Sequence, residues 1–247
     1  PDPDRHLDRA WLAAHLREER RSAELLSEIR EAMFGAQDGV MSILLVVATV
    51  ATATGESYAV LVAGVATALA EVVSMAAGEY MSSKSQREIF DAQIATERLE
   101  VAERPAEAEA EVAFLLEREG LASESARRVA AEFAIDKHVL LKTMVEKELG
   151  LTIEHGASPI QGALILAGTF GVASLVPLGP FFFLPVSAAF AASIALAGIS
   201  MFALGVFKSR FTKRNPLVSG IEVMGLVAIA SAAGYAFGSI LPAVLGW

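Results

Sequence analysis

The chain has 247 residues, is 54% hydrophobic with a mean hydropathy of +0.49, and carries a formal net charge of −9. It is too apolar for an ordinary soluble domain, yet its charges come in blocks, which marks a membrane protein with a soluble insert. The absence of cysteine excludes disulfides, thiolate metal sites, iron–sulfur clusters and cysteine nucleophiles, and the acidic balance argues against nucleic acid as a partner.

Residues 1–31 are polar with a helical pattern. Leu12, Leu16, Leu25, Leu26 and Ile29 form an incomplete apolar stripe among Arg and Glu. The pattern predicts an amphipathic cytoplasmic helix lying on the membrane surface or on the insert, behind a loose end at Pro1 and Pro3. His15, Glu18 and Glu19 are metal-ligand types, but one helix supplies too few of them. The first apolar run starts only near residue 32, behind this charged segment, so no cleaved signal peptide is expected.

About 20 apolar residues cross a hydrocarbon core of about 30 Å. Runs of that kind occupy 32–54, 58–81, 159–179, 182–207 and 217–246. The expected fold is therefore all-α. Spans one and two lie in 32–83, a helical insert in 84–158, and spans three to five in 159–247. Gly55, Glu56 and Ser57 make the first turn. Pro177, Gly179 and Pro180 break the next pair, and residues 208–216 the last. Gly234 and Gly238, spaced G-x-x-x-G, allow span five to pack closely.

Orientation follows from charge. Residues 1–31, 82–158 and 208–216 carry six, ten and four of the Lys and Arg residues, which is all 20 of them. The segments at 55–57 and 177–181 and the C-terminal Trp247 carry none. The positive-inside rule then puts the N-terminus and the insert in the cytoplasm and the C-terminus outside.

Residues 84–104 continue the second span as a charged helix. Pro105 breaks it and suits the first turn of the next helix, 106–119, which Gly120 closes. Ser123 is the expected N-cap of 123–134, and 136–149 follow, closed by Gly150. Leu115, Leu116, Leu121, Val129, Phe133, Leu140, Leu141, Val145 and Leu149 are the expected small core. Residues 85–158 hold 16 Asp and Glu against 9 Lys and Arg.

Four acids fall inside spans: Asp38, Glu71, Glu79 and Glu222. A carboxylate at mid-bilayer costs about 2.5–3.5 kcal/mol even on the lenient insertion scale, so such residues face a bundle interior or a wet path. No Lys, Arg or His lies within any span. The acids must be protonated, hydrogen-bonded to backbone or neutralised by a cation, which points to cation or proton transport. Asp38, Glu79 and Glu222 lie near span ends, where reaching the interface explains them as well; Glu71 does not. Met75 is one turn from Glu71 on the same face, and a thioether suits transition metals rather than Na⁺, K⁺ or Mg²⁺.

In the insert, Glu97 and Glu100 are i,i+3. Glu107 and Glu111 are i,i+4 on the helix across Pro105, and Met144 and Glu148 are i,i+4 on a third. Opposed faces of this kind gather carboxylates whose repulsion a divalent cation relieves. An oxygen-rich site with some soft character suits Fe²⁺ or Mn²⁺. The plainer alternative is a solvated acidic face.

The order of these pieces resembles the vacuolar iron transporter family. The residues that carry the likeness are Gln37-Asp38-Gly39, the run from Ser74 to Tyr80 (SMAAGEY), the acidic insert, and Glu148 to Leu151 (ELGL). The likeness covers about residues 32–246. It implies a homodimer with a pore between subunits, in a lipid bilayer such as a bacterial inner membrane. It implies export of cytosolic Fe²⁺, with Mn²⁺, Zn²⁺ or Co²⁺ in the same ligand range, in exchange for protons and with no organic cofactor. By position Asp38, Glu71 and Met75 match the pore, with Glu79 beside them, and Glu97, Glu100, Glu111, Met144 and Glu148 match the metal-binding insert. Ala108 stands where a further Glu is expected, with Glu107 and Glu109 on either side of it, and Val145 stands where some relatives have a second Met. The rivals are Mn²⁺ as the main cargo, a membrane-anchored carboxylate oxidase, and a metal sensor without transport. His6, His15, His138 and His155 form no Glu-x-x-His pair, which counts against the oxidase.

Overall fold

The computed structural model describes residues 8–150 and 158–245. Pro1, Pro3, His6, Leu151, His155 and Trp247, named above, lie outside the described residues. Eight α-helices follow in order: α1 Arg9–Thr54, α2 Ser57–Glu103, α3 Pro105–Arg118, α4 Ser123–Ala134, α5 Lys137–Lys147, α6 Pro159–Leu178, α7 Val186–Thr212 and α8 Pro216–Leu245. Among the described residues there is no strand, and α1, α2, α6, α7 and α8 are each long and apolar enough to cross a membrane. The fold is all-α and polytopic. Contacts divide the chain into two units, one of Pro1–Tyr80 with Ala157–Trp247 and one of Met81–Gly156.

In the membrane unit α1 is a single helix of 46 residues, capped by the Asp8 carboxylate, which accepts from the Ala10 N–H. The polar N-terminal segment is therefore a continuation of the first span rather than a separate surface helix. Nothing between residues 31 and 32 stops helix propagation: no Pro or Gly intervenes, and Ala32 and Met33 are strong helix formers. Gly55, at φ +67°, ends the helix in the left-handed conformation and donates to the Ala51 carbonyl.

α1 packs against α6, α7 and α8. One stripe of it (Ile43, Val47, Ala51) joins Val60, Ala68, Phe170, Leu178 and Phe181, and another (Val40, Leu44) joins Ala197, Met201, Val223 and Val227. Paired glycines allow the approach. A Cβ at Gly39 would lie 2.5 Å from the Phe170 carbonyl oxygen on α6, and one at Gly234 would lie 2.8 Å from the Leu45 carbonyl on α1. Gly238 meets the Thr49 carbonyl in the same way. With no hydrophobic drive between helices in lipid, such backbone proximity is what dispersion contacts need. α6 passes through Pro177, which was expected to break it, and a 3-10 turn at Gly179–Phe182 ends the run. The Ser193 hydroxyl donates to the Pro177 carbonyl at 2.7 Å.

The insert unit closes on Ile94, Val101, Ala108, Val112, Ala113, Leu116, Ala126, Ala130, Leu140, Leu141, Met144 and Val145, with Val129 and Phe133 against them. α3 begins at Pro105 in its first turn. It ends in a Schellman pattern at Gly120, φ +106°, with the Leu121 and Gly120 N–H groups donating to the Leu116 and Glu117 carbonyls. Ser123 is the first residue of α4 rather than its N-cap. Ala122 holds the cap position with extended backbone and no side-chain bond. Asp136 caps α5 by accepting from the His138 N–H at 2.8 Å.

Candidate metal centre and membrane path

The insert gathers its acids around the α2–α3 joint. Arg104 ends one helix and precedes the Pro105 of the next, and the residue before a proline is kept out of helical backbone. The chain therefore turns there, and the faces bearing Glu100 and Glu107/Glu111 come together. Carboxylate oxygens of Glu100, Glu107 and Glu111 all lie within 4.8 Å of one another.

Glu97, one turn before Glu100, is only 8% exposed and has no hydrogen bond or ion pair among the described residues. Burial pushes its carboxyl above the ordinary range, and the charges of Glu148, Glu100 and Glu111 push the same way. The Glu111 carboxyl is raised likewise, by burial first and then by Glu100, Glu148 and Glu107. Three helices, α2, α3 and the end of α5, thus bring Glu97, Glu100, Glu107, Glu111 and Glu148 within electrostatic reach of one another. A buried, unpaired carboxylate among like charges is unfavourable until a cation or a proton joins it.

Met144 is fully buried in the insert core. Ala108 and Val145 are fully buried in the same core. The positive group in this cluster is Arg104, whose Nη1 donates to Glu107 at 2.8 Å and Nη2 to Glu100 at 3.2 Å. Its spacing, four after Glu100 and three before Glu107, is the signal that could have revealed it.

In the membrane unit Asp38 lies between Gly35 and Gly39, half-buried, and its Oδ1 accepts from the Ser42 hydroxyl at 3.0 Å. Glu71, Met75 and Glu79 stand at i, i+4 and i+8 on one half-buried face of α2. Met75 packs on the cluster around Ile43 and Phe170. Glu71 has no hydrogen-bond or ion-pair partner among the described residues. The Glu79 carboxylate lies beside Gly162 on α6, with Oε1 3.6 Å from where a Cβ there would stand.

Two of the four membrane acids do have cationic neighbours, contrary to the expectation above. Arg30 hydrogen-bonds Glu31 at 2.6 Å, which raises its already high pKa, and it also feels the charge of Glu79. Arg214 Nη1 is 3.4 Å from Glu222. Both cations sit just outside the apolar runs, where a count within span boundaries misses them. Their long side chains carry charge across that boundary, Arg30 on α1 toward Glu79 on α2 and Arg214, ahead of α8, to Glu222. His15 stacks on Trp11 and pairs with Glu19 at 3.3 Å on the exposed start of α1, and among the described residues no cluster of three metal-ligand types forms there.

α2 is the least covered of the five long helices, with 17% of its most apolar window buried against 39% in α1 and α6. Val62, Val65, Leu69 and Val73 make an exposed apolar face opposite the one that carries Glu71.

Known proteins resemble this chain over most of its length. The VIT family model matches residues 29–239. Vacuolar iron transporter 1 of Tulipa gesneriana is 30% identical over 217 residues, covering 87% of this chain and 88% of the relative. Vacuolar iron transporter 1 of Oryza sativa subsp. japonica is 30% identical over 210 residues, 84% of this chain and 82% of the relative. The vacuolar iron transporter of Toxoplasma gondii is 28% identical over 228 residues, 88% of this chain and 76% of the relative. With a family match over residues 29–239 and relatives covered over 76–88% of their own length, the chain belongs to the VIT family.

Proposed function

We propose that the chain moves Fe²⁺ out of the cytosol in exchange for protons, with Mn²⁺ as the competing cargo. As a VIT family member it is a membrane transporter of metal ions and not an enzyme. The observation that carries the reading is Glu71. It is an acid inside an apolar span, half-buried, without a partner among the described residues, and one turn from the thioether of Met75. A passing cation supplies the missing positive charge, and a carboxylate with a thioether favours a transition metal. Protonation of the same carboxylate after the metal leaves gives H⁺ a return route.

The insert is the cytoplasmic collector. Glu97, Glu100, Glu107, Glu111 and Glu148 offer the oxygen ligands, and Met144 the soft one. The path runs through Glu79, Met75 and Glu71 to Asp38. The distribution of all 20 Lys and Arg supports a cytoplasmic N-terminus and insert and an outside C-terminus. The sparse covering of α2 supports a homodimer, because a second copy would cover the helix that its own chain covers least.

The test is metal flux into proteoliposomes for the wild type, Glu71→Ala and Met75→Ala, with Mn²⁺ competing against Fe²⁺. The expected result is loss of flux in Glu71→Ala and a marked decrease in Met75→Ala, with metal binding by the insert retained. Unchanged flux in both variants overturns the path.

A further inference from the structure

We propose that Arg104 is a built-in competitor for the metal in the insert, occupying the carboxylates with its guanidinium until a divalent ion displaces it. The inference rests on the collector reading above and adds to it a group that sets how tightly the metal is held.

Arg104 bridges two helices. Nη2 meets Oε2 of Glu100 on α2, and Nη1 meets Oε2 of Glu107 on α3. Those two carboxylates and Glu111 are the three whose oxygens converge within 4.8 Å. The same gathering of charge therefore serves the guanidinium and any divalent ion. Arginine stays charged at every working pH, so no proton loss can take it out of the way. It can only swing. Its position allows that, because the side chain is 56% exposed on both ion pairs. Its backbone is fixed at the joint, the N–H donating to the Glu100 carbonyl and the carbonyl accepting from the Glu107 and Ala108 N–H groups, so the swing is confined to the side chain.

A second observation marks the cluster as built for a cation rather than for Arg104 alone. Glu97 is buried and unpaired, yet it lies in the electrostatic field of Glu148, Glu100 and Glu111. The guanidinium hydrogen-bonds Glu100 and Glu107, not Glu97. One monovalent group at the exposed edge leaves the buried acid unanswered, whereas a divalent ion brings two charges and draws several carboxylates to 2.0–2.6 Å. Metal entry then exchanges the exposed pairs for direct ligation. Two solvent-screened pairs are weak enough to be displaced and strong enough to count against the metal.

The test is Mn²⁺ binding to the purified full-length protein in detergent, by titration calorimetry, for the wild type, Arg104→Gln and Glu111→Gln. The expected result is tighter binding in Arg104→Gln by about 3- to 10-fold, the equivalent of one or two exposed pairs, with binding weakened in Glu111→Gln. A misfolded variant does not gain affinity, so the direction separates competition from structural damage. Unchanged or weaker binding in Arg104→Gln, with Glu111→Gln still impaired, overturns the competitor role and leaves the collector standing. Wild-type binding in both variants overturns the collector reading and the inference with it.

Discussion

The two units handle negative charge in opposite ways. The membrane unit keeps its acids apart: Asp38 leans on Ser42, Glu79 and Glu222 have arginines within reach, and Glu71 stands alone on an apolar helix. The insert gathers five glutamates and meets them with one exposed arginine. Isolated acids suit brief occupancy by a moving ion, since a single carboxylate cannot hold a divalent cation tightly. Gathered acids suit capture, since several oxygens share one ion. The packing differs in the same sense. The membrane unit is joined by backbone approach at Gly35, Gly39, Gly234 and Gly238, and the insert by a core rich in alanine.

The contrast can be broken at several points. The largest expected effect is on flux. Glu71→Ala should lower transport by about 10- to 100-fold, on the scale of losing a metal-site residue, as read by a chelating dye trapped in vesicles. Next is packing. Gly39→Leu drives a side chain into the Phe170 carbonyl and should cost about 1–3 kcal/mol or more. Gly78→Ala meets no atom within 4 Å and should leave the thermal unfolding midpoint in detergent unchanged or slightly raised, since alanine is the better helix former.

Third is the pH response of the metal-free insert. Burial and like charges raise the Glu97 and Glu111 carboxyls, so the folded state binds more protons than the unfolded one. Stability contributed by these protons is present below the ordinary carboxylate pKa and is lost as pH rises through the raised values. Metal-free protein should therefore melt at lower temperature as pH increases through that window. Added Mn²⁺ should reverse the loss, and Glu97→Gln should flatten the dependence. The smallest effect belongs to Arg214→Gln. Its half-exposed pair with Glu222 is worth about 0.2–1 kcal/mol, so a shift of a few degrees at most is expected, with flux retained.

Much of this contrast was legible in the sequence. Five apolar runs of spanning length gave five helices, Pro105 gave the α2–α3 joint, and the Gly234/Gly238 spacing gave the close packing of α8, though not that α1 is what it packs on. The rest was hidden for physical reasons. Core positions filled by Ala108, Ala113, Ala126 and Ala130 do not stand out among solvent-facing alanines, so the insert core was drawn from its larger residues. Leu121, expected in that core, is exposed instead. The Arg30 and Arg214 contacts escaped a count confined to spans, because flexible side chains cross the boundary that hydropathy draws. The continuity of α1 escaped because polarity changes at residue 32 while helix propensity does not.

The division of labour between capture and passage is tested most directly by one series. Fe²⁺ flux into proteoliposomes is measured over a range of metal concentrations for the wild type, Glu111→Gln and Glu71→Ala. The expected result is a split. Glu111→Gln raises the concentration needed for half-maximal flux and keeps the maximum, whereas Glu71→Ala lowers the maximum itself. Wild-type flux in Glu71→Ala, or an equal loss of maximum in both variants with no shift in half-saturation, would contradict it.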